Sequence, residues 1–300
     1  MANYKAQVSL LLSVLPEVAK EDCFALHGGT AINLFVRDMP RLSVDIDLTY
    51  IPVEDRATSF SNISKALLRI KGTIETVVPN VQVTHKQKEL KLLISNRKAQ
   101  IKLEVSQAMR GIIAAPTEMG LCDKAQNEFD AFCEIPVIPI GQLYGGKICA
   151  ALDRQHPRDL FDIKYLLENE GFANEIKTGF LFCLLGSKRP IYEILLPNLL
   201  DQRSAMANQF DGMSEEPFTY EDFEATRNLL IQTIHESLTD IDKHFLLNFE
   251  NCTPDWSLYN FEEYPAVQWK LQNLQKLKET NAEKHSAALK KLKSEFLKKS

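Results

Sequence analysis

A short segment in which apolar and acidic residues alternate constrains the fold of this chain more than any other feature. The segment reads Val44-Asp45-Ile46-Asp47-Leu48. Successive side chains of a β-strand point to opposite faces, so the apolar residues would face a core and both aspartates would face away from it. Two strand steps would separate the carboxylates by about 6.6 Å. The segment therefore predicts a strand that carries two acids on one face.

Helix-like and strand-like segments alternate on both sides of this strand. Apolar residues at helical spacing predict helices in residues 8–15, 30–36, 56–71, 141–151 and 158–169. Alternating patterns predict a strand at 133–138 and a hairpin formed by 90–95 and 100–106. Thr30 is a plausible N-cap of the second helix, and Gly72 would end the third.

Beyond Gly171 the strand signals fade. Residues 181–200, 220–238 and 266–299 are helix-like, and residues rich in Pro, Asn and Glu separate them. We therefore expect an α+β fold with two domains, an α+β domain over residues 1–170 and a helical domain over residues 171–300.

Composition excludes several classes of protein. The six cysteines form no C-x-x-C pair, which indicates reduced, buried thiols rather than a structural zinc site. No run approaches the ~20 apolar residues of a membrane span, and the N-terminal segment lacks the features of a secretion signal. We therefore expect a cytoplasmic protein without a membrane partner. The net charge of −5 means that any attraction to phosphate must come from a local patch.

The two aspartates are the candidate metal ligands. Carboxylate oxygens suit Mg²⁺, with Mn²⁺ as the alternative, and such an ion keeps waters and substrate phosphates among its ligands. A bound divalent ion would bridge triphosphate oxygens and offset the charge that develops during phosphoryl transfer. The competing interpretation is the solvated polar face of an edge strand, since D-x-D is common.

Glycine and hydroxyl residues precede the acidic strand. Gly28 and Gly29 end a predicted strand just before a helix start, where glycine lets the backbone approach a phosphate closely. The Ser43 hydroxyl, just before the strand, could bind a phosphate oxygen. The alternatives are a turn that merely needs glycine and a serine that starts the strand.

The remaining candidate site residues are a third acid, Glu104, and a group of basic and acidic residues between positions 147 and 162. Glu104 alternates with apolar residues, and it would share the aspartates' surface if its strand were their neighbour, as a metal ligand or general base. Lys147 is the lone lysine of an apolar helix and either reaches solvent or binds a phosphate. Asp159 and Asp162 share a helix face, and Arg158 could pair with them or meet a triphosphate.

Basic residues are concentrated in a few places. Residues 270–300 contain nine lysines and three glutamates, a local charge of +6. These residues form either a solvated helix packed along one face or a basic arm that touches RNA phosphates. Further basic surfaces lie at 86–88 and 98–102.

Four motifs in this order resemble the AbiEii/AbiGii-type toxins, MenT-like nucleotidyltransferases of the DNA polymerase β superfamily. The motifs are Gly28-Gly29-Thr30-Ala31, Arg41-x-Ser43-x-Asp45-x-Asp47-Leu48, Lys147, and Arg158-Asp159-x-x-Asp162. The resemblance covers residues 24–167. It implies a polymerase-β-like nucleotidyltransferase domain with a mixed sheet, followed by helices.

The resemblance also implies an activity and site roles. A nucleoside monophosphate (NMP) would pass from a nucleoside triphosphate (NTP) to an RNA acceptor, the tRNA 3′ end in several such toxins. Asp45 and Asp47 would bind the metal, and Ser43 and Lys147 would contact the triphosphate. Asp159 would be the late catalytic aspartate, Asp162 would complete its motif, and Glu104 would be a third acid. A cognate antitoxin would neutralise the protein, and the family takes part in phage defence.

Other functions stay open from the residues alone. The motifs concern the NTP side of the reaction and say little about the acceptor, so a protein or small-molecule acceptor is an alternative. A binding protein that keeps the fold without catalysis and a phosphodiester hydrolase that uses the same acids are two more. A basic groove leading from the acids would favour RNA over a small acceptor.

Overall fold

The computed structural model describes residues 2–297, and its first half alternates helices with strands. These elements are, in chain order, α1 (Ala2–Val18), β1 (Phe24–His27), α2 (Gly28–Ala31) with a π-helical turn (Ile32–Val36), β2 (Asp45–Tyr50), α3 (Arg56–Val77), β3 (Gln82–Lys86), a 3-10 turn (Gln87–Glu89), β4 (Lys91–Ser95), β5 (Gln100–Val105), β6 (Thr117–Gly120), α4 (Asp123–Phe129) and β7 (Glu134–Val137).

Helices and turns follow the last strand as far as residue 297. They are α5 (Ile140–Asp153), α6 (Pro157–Asn169), α7 (Asn174–Gly186), α8 (Ile191–Leu195), α9 (Arg203–Ala205) with a π-helical turn (Met206–Phe210), α10 (Tyr220–Ser237), α11 (Asp240–Glu250), α12 (Pro265–Thr280) and α13 (Ala282–Leu297). None of these helices, within residues 2–297, is long and apolar enough to cross a membrane.

The seven strands form one mixed sheet in the order β3-β4-β5-β2-β1-β7-β6. The pairs β2/β5 and β1/β7 are parallel, and the other neighbours are antiparallel. The hairpin predicted from residues 90–106 is β4 and β5. The predicted α+β class and the mixed sheet are confirmed.

Backbone contacts divide the chain into two compact units. The first consists of Met1–Leu143 and Ala207–Pro217, and the second of Tyr144–Met206 and Phe218–Ser300. These units describe packing rather than independent folding, so the division into domains 1–170 and 171–300 stays a prediction.

In the first unit, one face of the sheet is apolar and buried. Ile46, Leu48 and Leu103 on this face are fully buried. Helix α1 packs against β5 and α3, and α3 packs against β3 and β4. Because apolar side chains alternate with polar ones along each strand, burying one face leaves the polar side chains on the other. The fold thus presents Asp45 and Asp47 away from the core.

The second unit is helical. Helix α6 packs on α10, α7 packs on α12, and α12 packs on α13. Thr219 and Thr239 begin α10 and α11 with capping boxes, in which a threonine hydroxyl and an aspartate three residues later satisfy each other's backbone N–H groups.

Several element predictions are wrong. Gly72 lies inside α3 and does not end it. Residues 181–200 do not form one helix, because α7 ends at Gly186 and α8 begins at Ile191. The helix-like stretch 266–299 is broken at Asn281, the C-cap of α12, and its last lysines, Lys298 and Lys299, lie outside the described residues.

The C-terminal lysines that are described differ in environment. Lys270 is buried, and its ammonium donates to the carbonyls of Leu184 and Arg189. Lys278 donates to the carbonyl of Asn251 at 2.9 Å. Lys284, Lys290 and Lys293 are exposed. The stretch is therefore in part a packed helical pair and in part a solvated basic face.

Candidate functional site

Strand β2 carries the two aspartates as the sequence predicts. Ile46 and Leu48 are fully buried, whereas Asp45 and Asp47 are partly exposed on the opposite face. The carboxylates thus share one face of a strand whose other face is fixed in the core. An acid pair on such a rigid element keeps its geometry without help from a loop.

Glu104 shares this face, as the sequence reasoning required for its role. Strands β2 and β5 are parallel neighbours, and Asp47 is paired with Glu104. Residues paired across neighbouring strands project from the same face of a sheet. The structure therefore brings three carboxylates together on one surface.

Two lysines lie among these acids. Lys102 is paired with Asp45 in the register of β5 and β2, and its ammonium lies 3.7 Å from Asp45 Oδ2 and 3.8 Å from Glu104 Oε2. The Lys91 ammonium lies 3.2 Å from Glu104 Oε2. The acids thus have partial charge compensation in the protein alone.

The carboxylate donors suit a metal ion that takes its remaining ligands from water and substrate. No three His, Cys, Asp or Glu side chains within residues 2–297 are grouped so as to hold an ion by themselves. Two carboxylates on one strand face supply the oxygen donors that Mg²⁺ prefers, and Mg²⁺ characteristically takes its remaining ligands from water and substrate phosphates. Asp45 and Asp47 are therefore the residues that could hold it.

The two glycines make room for site side chains. A Cβ on Gly28, whose φ is +76°, would lie 2.6 Å from Asp47 Oδ2. A Cβ on Gly29 would lie 2.8 Å from Arg41 Nη2 and 3.0 Å from Ser43 Oγ. A larger residue at either position would displace one of these groups. The glycine pair is thus required by close packing against Asp47, Arg41 and Ser43.

Thr30 does not cap a helix, contrary to the prediction. Helix α2 already begins at Gly28, with His27 at its N-cap. The Thr30 side chain is buried, lies 3.0 Å from Ser43 Oγ and donates a hydrogen bond to the backbone carbonyl of Asp45. Thr30 therefore joins α2 to the start of the acidic strand and orients Ser43.

Two further residues lie at this site that were given no role from the sequence, although Arg41 is part of the quoted motif. Arg41 is buried, donates to the carbonyl of Leu42 at 3.0 Å, and places its Nη2 beside Gly29. His27 is the register partner of Asp47 in the antiparallel pair β1/β2, so it lies on the same face. Arg41 stands two residues before Ser43, which was a usable signal. His27 had none, because it ends an apolar run.

A second group of predicted residues lies in the second unit, on α5 and α6. The buried Lys147 ammonium contacts Asp159 Oδ1 at 2.9 Å and Asp162 Oδ2 at 3.0 Å. Arg154 donates to Asp159 through Nε and Nη2. Both aspartates are also buried. Lys147 is therefore neither solvated nor isolated, but forms the centre of a buried ion-pair cluster.

Charge decides the protonation state of this cluster. Burial by itself would raise the pKa of Asp159, but the adjacent Lys147 and Arg154 outweigh burial and hold that pKa well below its usual range. Arg158 is half-buried and has no ion-pair partner within residues 2–297. Asp159 is thus a carboxylate at neutral pH, and the Arg158 guanidinium is available to an anion.

Three comparisons with known proteins bear on this geometry. The family model "Nucleotidyl transferase AbiEii toxin, Type IV TA system" matches residues 9–273. Among solved structures, the fold is similar to MenT4, a nucleotidyltransferase toxin from Mycobacterium tuberculosis H37Rv. That match has a TM-score of 0.62 and 11% identity, and covers 91% of this chain and 93% of MenT4. No curated protein sequence gave a match. The family model spans most of the chain, which therefore belongs to the AbiEii nucleotidyltransferase toxin family.

Proposed function

We propose that this member of the AbiEii family transfers an NMP from an NTP to an RNA acceptor, the 3′ end of tRNA. The acceptor hydroxyl oxygen would attack the α-phosphorus, the bond from that phosphorus to the bridging oxygen would break, and pyrophosphate would leave. The observation that carries the proposal is the geometry of β2. Two aspartates share one strand face, Gly28 packs directly against Asp47, and Gly29 packs against Ser43, two residues before the strand.

Asp45 and Asp47 would hold Mg²⁺, or Mn²⁺ as the alternative. When bound, such an ion neutralises charge that develops on the phosphate oxygens. The support from the structure is the all-oxygen donor pair on a rigid strand, with Asp47 fixed against Gly28.

Ser43 and Arg41 would contact the donor phosphates. The Ser43 hydroxyl is oriented by Thr30, and the Arg41 guanidinium lies beside the backbone of Gly29. A planar guanidinium binds phosphate oxygens in a bidentate manner. Because Gly28 and Gly29 have no side chain, a phosphate group can approach the backbone closely at these two residues.

Glu104 would accept the proton of the attacking hydroxyl. It projects from the aspartates' face, opposite Asp47, and a carboxylate placed there is a suitable general base. The Lys91 and Lys102 ammonium groups lie 3.2 Å and 3.8 Å from Glu104 Oε2. The proton would pass from the acceptor hydroxyl to the Glu104 carboxylate.

The cluster on α5 and α6 would supply cations for substrate phosphate. Lys147 and Arg158 are the proposed contacts, and Asp159 and Asp162 hold the Lys147 ammonium in place at 2.9 Å and 3.0 Å. Asp159 keeps the role of late catalytic aspartate that the resemblance gives it. Its depressed pKa supports a group that stays ionised during turnover.

The biological setting would be growth arrest that a cognate antitoxin relieves. The family model describes a Type IV toxin–antitoxin system, so we propose that expression of this chain alone stops growth and serves phage defence by abortive infection. Growth of cells that express wild-type chain or Asp47→Asn, followed by phage challenge with the antitoxin gene present, tests this part separately from the chemistry.

The chemical proposal is tested by label transfer. Purified protein is incubated with each α-labelled NTP, Mg²⁺ and total RNA, and the products are separated on a denaturing gel. We expect label on tRNA-sized RNA, with loss of the label in EDTA and in Asp47→Asn. Asp130→Asn is the matched control, because Asp130 is exposed and its backbone conformation, with a φ of 49°, suits asparagine.

Each alternative function has its own result in this assay. Label on a protein band with none on RNA would overturn the RNA acceptor and indicate protein modification. Shortened RNA without incorporated label would indicate phosphodiester hydrolysis. Absence of label from every acceptor with all four NTPs, in protein that binds NTP, would indicate a binding protein without catalysis.

A further inference from the structure

We propose that the open face of strands β2, β5, β4 and β3 is the track for the RNA acceptor, with Lys102, Lys91 and Lys86 as its phosphate contacts. This inference rests on the proposed function, because it names the surface along which the acceptor reaches Asp45 and Asp47. It concerns binding of a single-stranded polyanion and not the transfer step.

The strand register places one lysine on each successive strand. Lys102 on β5 is paired with Asp45, Lys91 on β4 is paired with Glu104, and Lys86 on β3 is paired with Lys91. Paired residues share a face, so all three lysines project from the face that carries the aspartates. Strands lie about 4.8 Å apart, so the row extends roughly 10 Å from β5 to β3.

This face of the sheet is accessible in the described chain, whereas the side chains of the opposite face are buried. The side chains of Lys102 and Glu104 are each 40% exposed, that of Lys91 is 20% exposed, and Lys86 is exposed. On the reverse side of the same strands the side chains are buried; they are Val83, Leu92, Ile94, Ile101 and Leu103. The lysine row therefore lies on a surface that a macromolecule can reach.

Charge complementarity selects the occupant. The chain carries a net charge of −5, so it does not attract nucleic acid as a whole. On β3, β4 and β5 this face carries three lysines and one acid, Glu104. A line of cations that leads away from an acid pair suits an acceptor with phosphates at regular intervals. A small acceptor would have no contact with Lys86, which is three strands from Asp45.

The existing ion pairs do not block this use. Lys91 contacts Glu104 at 3.2 Å and Glu89 at 3.5 Å, and Lys102 contacts its acidic partners at 3.7 and 3.8 Å. Partly exposed pairs at a protein surface stabilise a protein little, and lysine side chains are long and flexible. The ammonium groups can therefore move from carboxylate to phosphate at small cost.

The test measures RNA binding without NTP, so it does not depend on catalysis. The probe is a 5′-fluorescein single-stranded RNA oligonucleotide, followed by anisotropy over a range of salt concentrations. The variant is Lys86→Gln/Lys91→Gln, which leaves Lys102 at the acid pair unchanged. Lys86→Arg/Lys91→Arg keeps the charge, and Lys65→Gln removes an exposed lysine from α3.

We expect the double glutamine variant to bind the probe at least tenfold more weakly. The slope of log K against log salt concentration should become shallower by about 1.4, which corresponds to two lost phosphate contacts on a single strand. The arginine variant and Lys65→Gln should bind as wild type does. Equal unfolding midpoints and equal binding of labelled NTP show that fold and donor site are intact.

Wild-type affinity and salt slope in the double glutamine variant would overturn the inference. Equal weakening by Lys65→Gln would also overturn it, because any lysine would then serve. Failure of the proposed function is recognised separately. If wild-type protein labels no RNA while the lysine variants still lose RNA binding, the binding surface stands and the transfer proposal falls.

Discussion

The Asp47 carboxylate occupies the space that a side chain at residue 28 would need. A Cβ on Gly28 would lie 2.6 Å from Asp47 Oδ2, and the φ of +76° at Gly28 is a backbone conformation that other residues rarely adopt. The two constraints act at one position. Any substitution at residue 28 must therefore move either the backbone or the proposed metal ligand.

Gly28→Ala should inactivate the enzyme far more than it destabilises the fold. Displacement of Asp47 by a fraction of an ångström to one ångström should lower the transfer rate on the order of 10²-fold. The backbone strain should lower the free energy of unfolding by about 1–3 kcal/mol. Rates of label transfer and urea unfolding curves measure the two effects.

Gly72→Ala is the matched control for this prediction. Gly72 lies inside α3, and a Cβ there would meet nothing within 4 Å. Alanine is favoured over glycine in helices by about 1 kcal/mol, so this variant should be slightly more stable and fully active. Full activity of Gly28→Ala would show that Asp47 tolerates displacement, and would contradict the proposed role of the glycine.

Glu104→Gln should lower kcat on the order of 10²-fold, because it removes the proposed general base and keeps the shape of the side chain. The KM for NTP should change little, since Glu104 is not a proposed phosphate contact. Initial rates over a range of NTP concentrations, at saturating RNA, give kcat and KM separately. An unchanged kcat with weaker RNA binding would instead limit Glu104 to holding Lys91 and Lys102.

Local periodicity accounts for what the sequence could predict about this site. The alternation in β2 and in the β4/β5 hairpin is complete within a few residues, so it requires no knowledge of the rest of the fold. The sequence also predicted that another group would lie close to the backbone of Gly28 and Gly29. The identity of those groups, which are Asp47, Arg41 and Ser43 rather than phosphate alone, depends on tertiary packing.

Long-range pairing explains what the sequence could not predict. Asp47 and Glu104 are opposite each other only because β5 pairs with β2 in parallel across the intervening α3, β3 and β4. Strand β3 was missed because only Val83 among its residues is buried, which leaves almost no apolar pattern. The contacts of Lys147 with Asp159 and Asp162 depend in the same way on how α5 and α6 pack.

Lys147→Met should destabilise the fold strongly. The substitution removes the cation that both Asp159 and Asp162 contact, in surroundings where all three side chains are buried. Breaking a buried ion pair from one side costs about 3–5 kcal/mol in the free energy of unfolding. Lys164→Met is the control, because the Lys164–Glu168 pair is long, at 3.9 Å, and lies at the surface. This control substitution should lower the free energy of unfolding by less than about 1 kcal/mol. Equal urea midpoints for the two variants would contradict the prediction.

Lys270 should make the free energy of unfolding depend on pH in the alkaline range. Burial lowers its pKa from 10.5 to about 8, against the opposing effect of Glu250. Between these values the unfolded chain holds a proton on Lys270 that the folded protein has released. The unfolded state therefore binds more protons, and the free energy of unfolding should rise as pH increases from 8 to 10.5. Below pH 8 Lys270 is charged in both states, and its burial imposes the full penalty.

Lys270→Met should remove this dependence. Across the interval from pH 8 to 10.5, wild-type protein should gain about 3 kcal/mol relative to the variant, from the size of the pKa shift. The difference between the two proteins at each pH is the quantity to measure. Urea unfolding at each pH gives that difference. A difference that stays constant over the interval would show that Lys270 keeps its proton in the folded state, held by the carbonyls of Leu184 and Arg189.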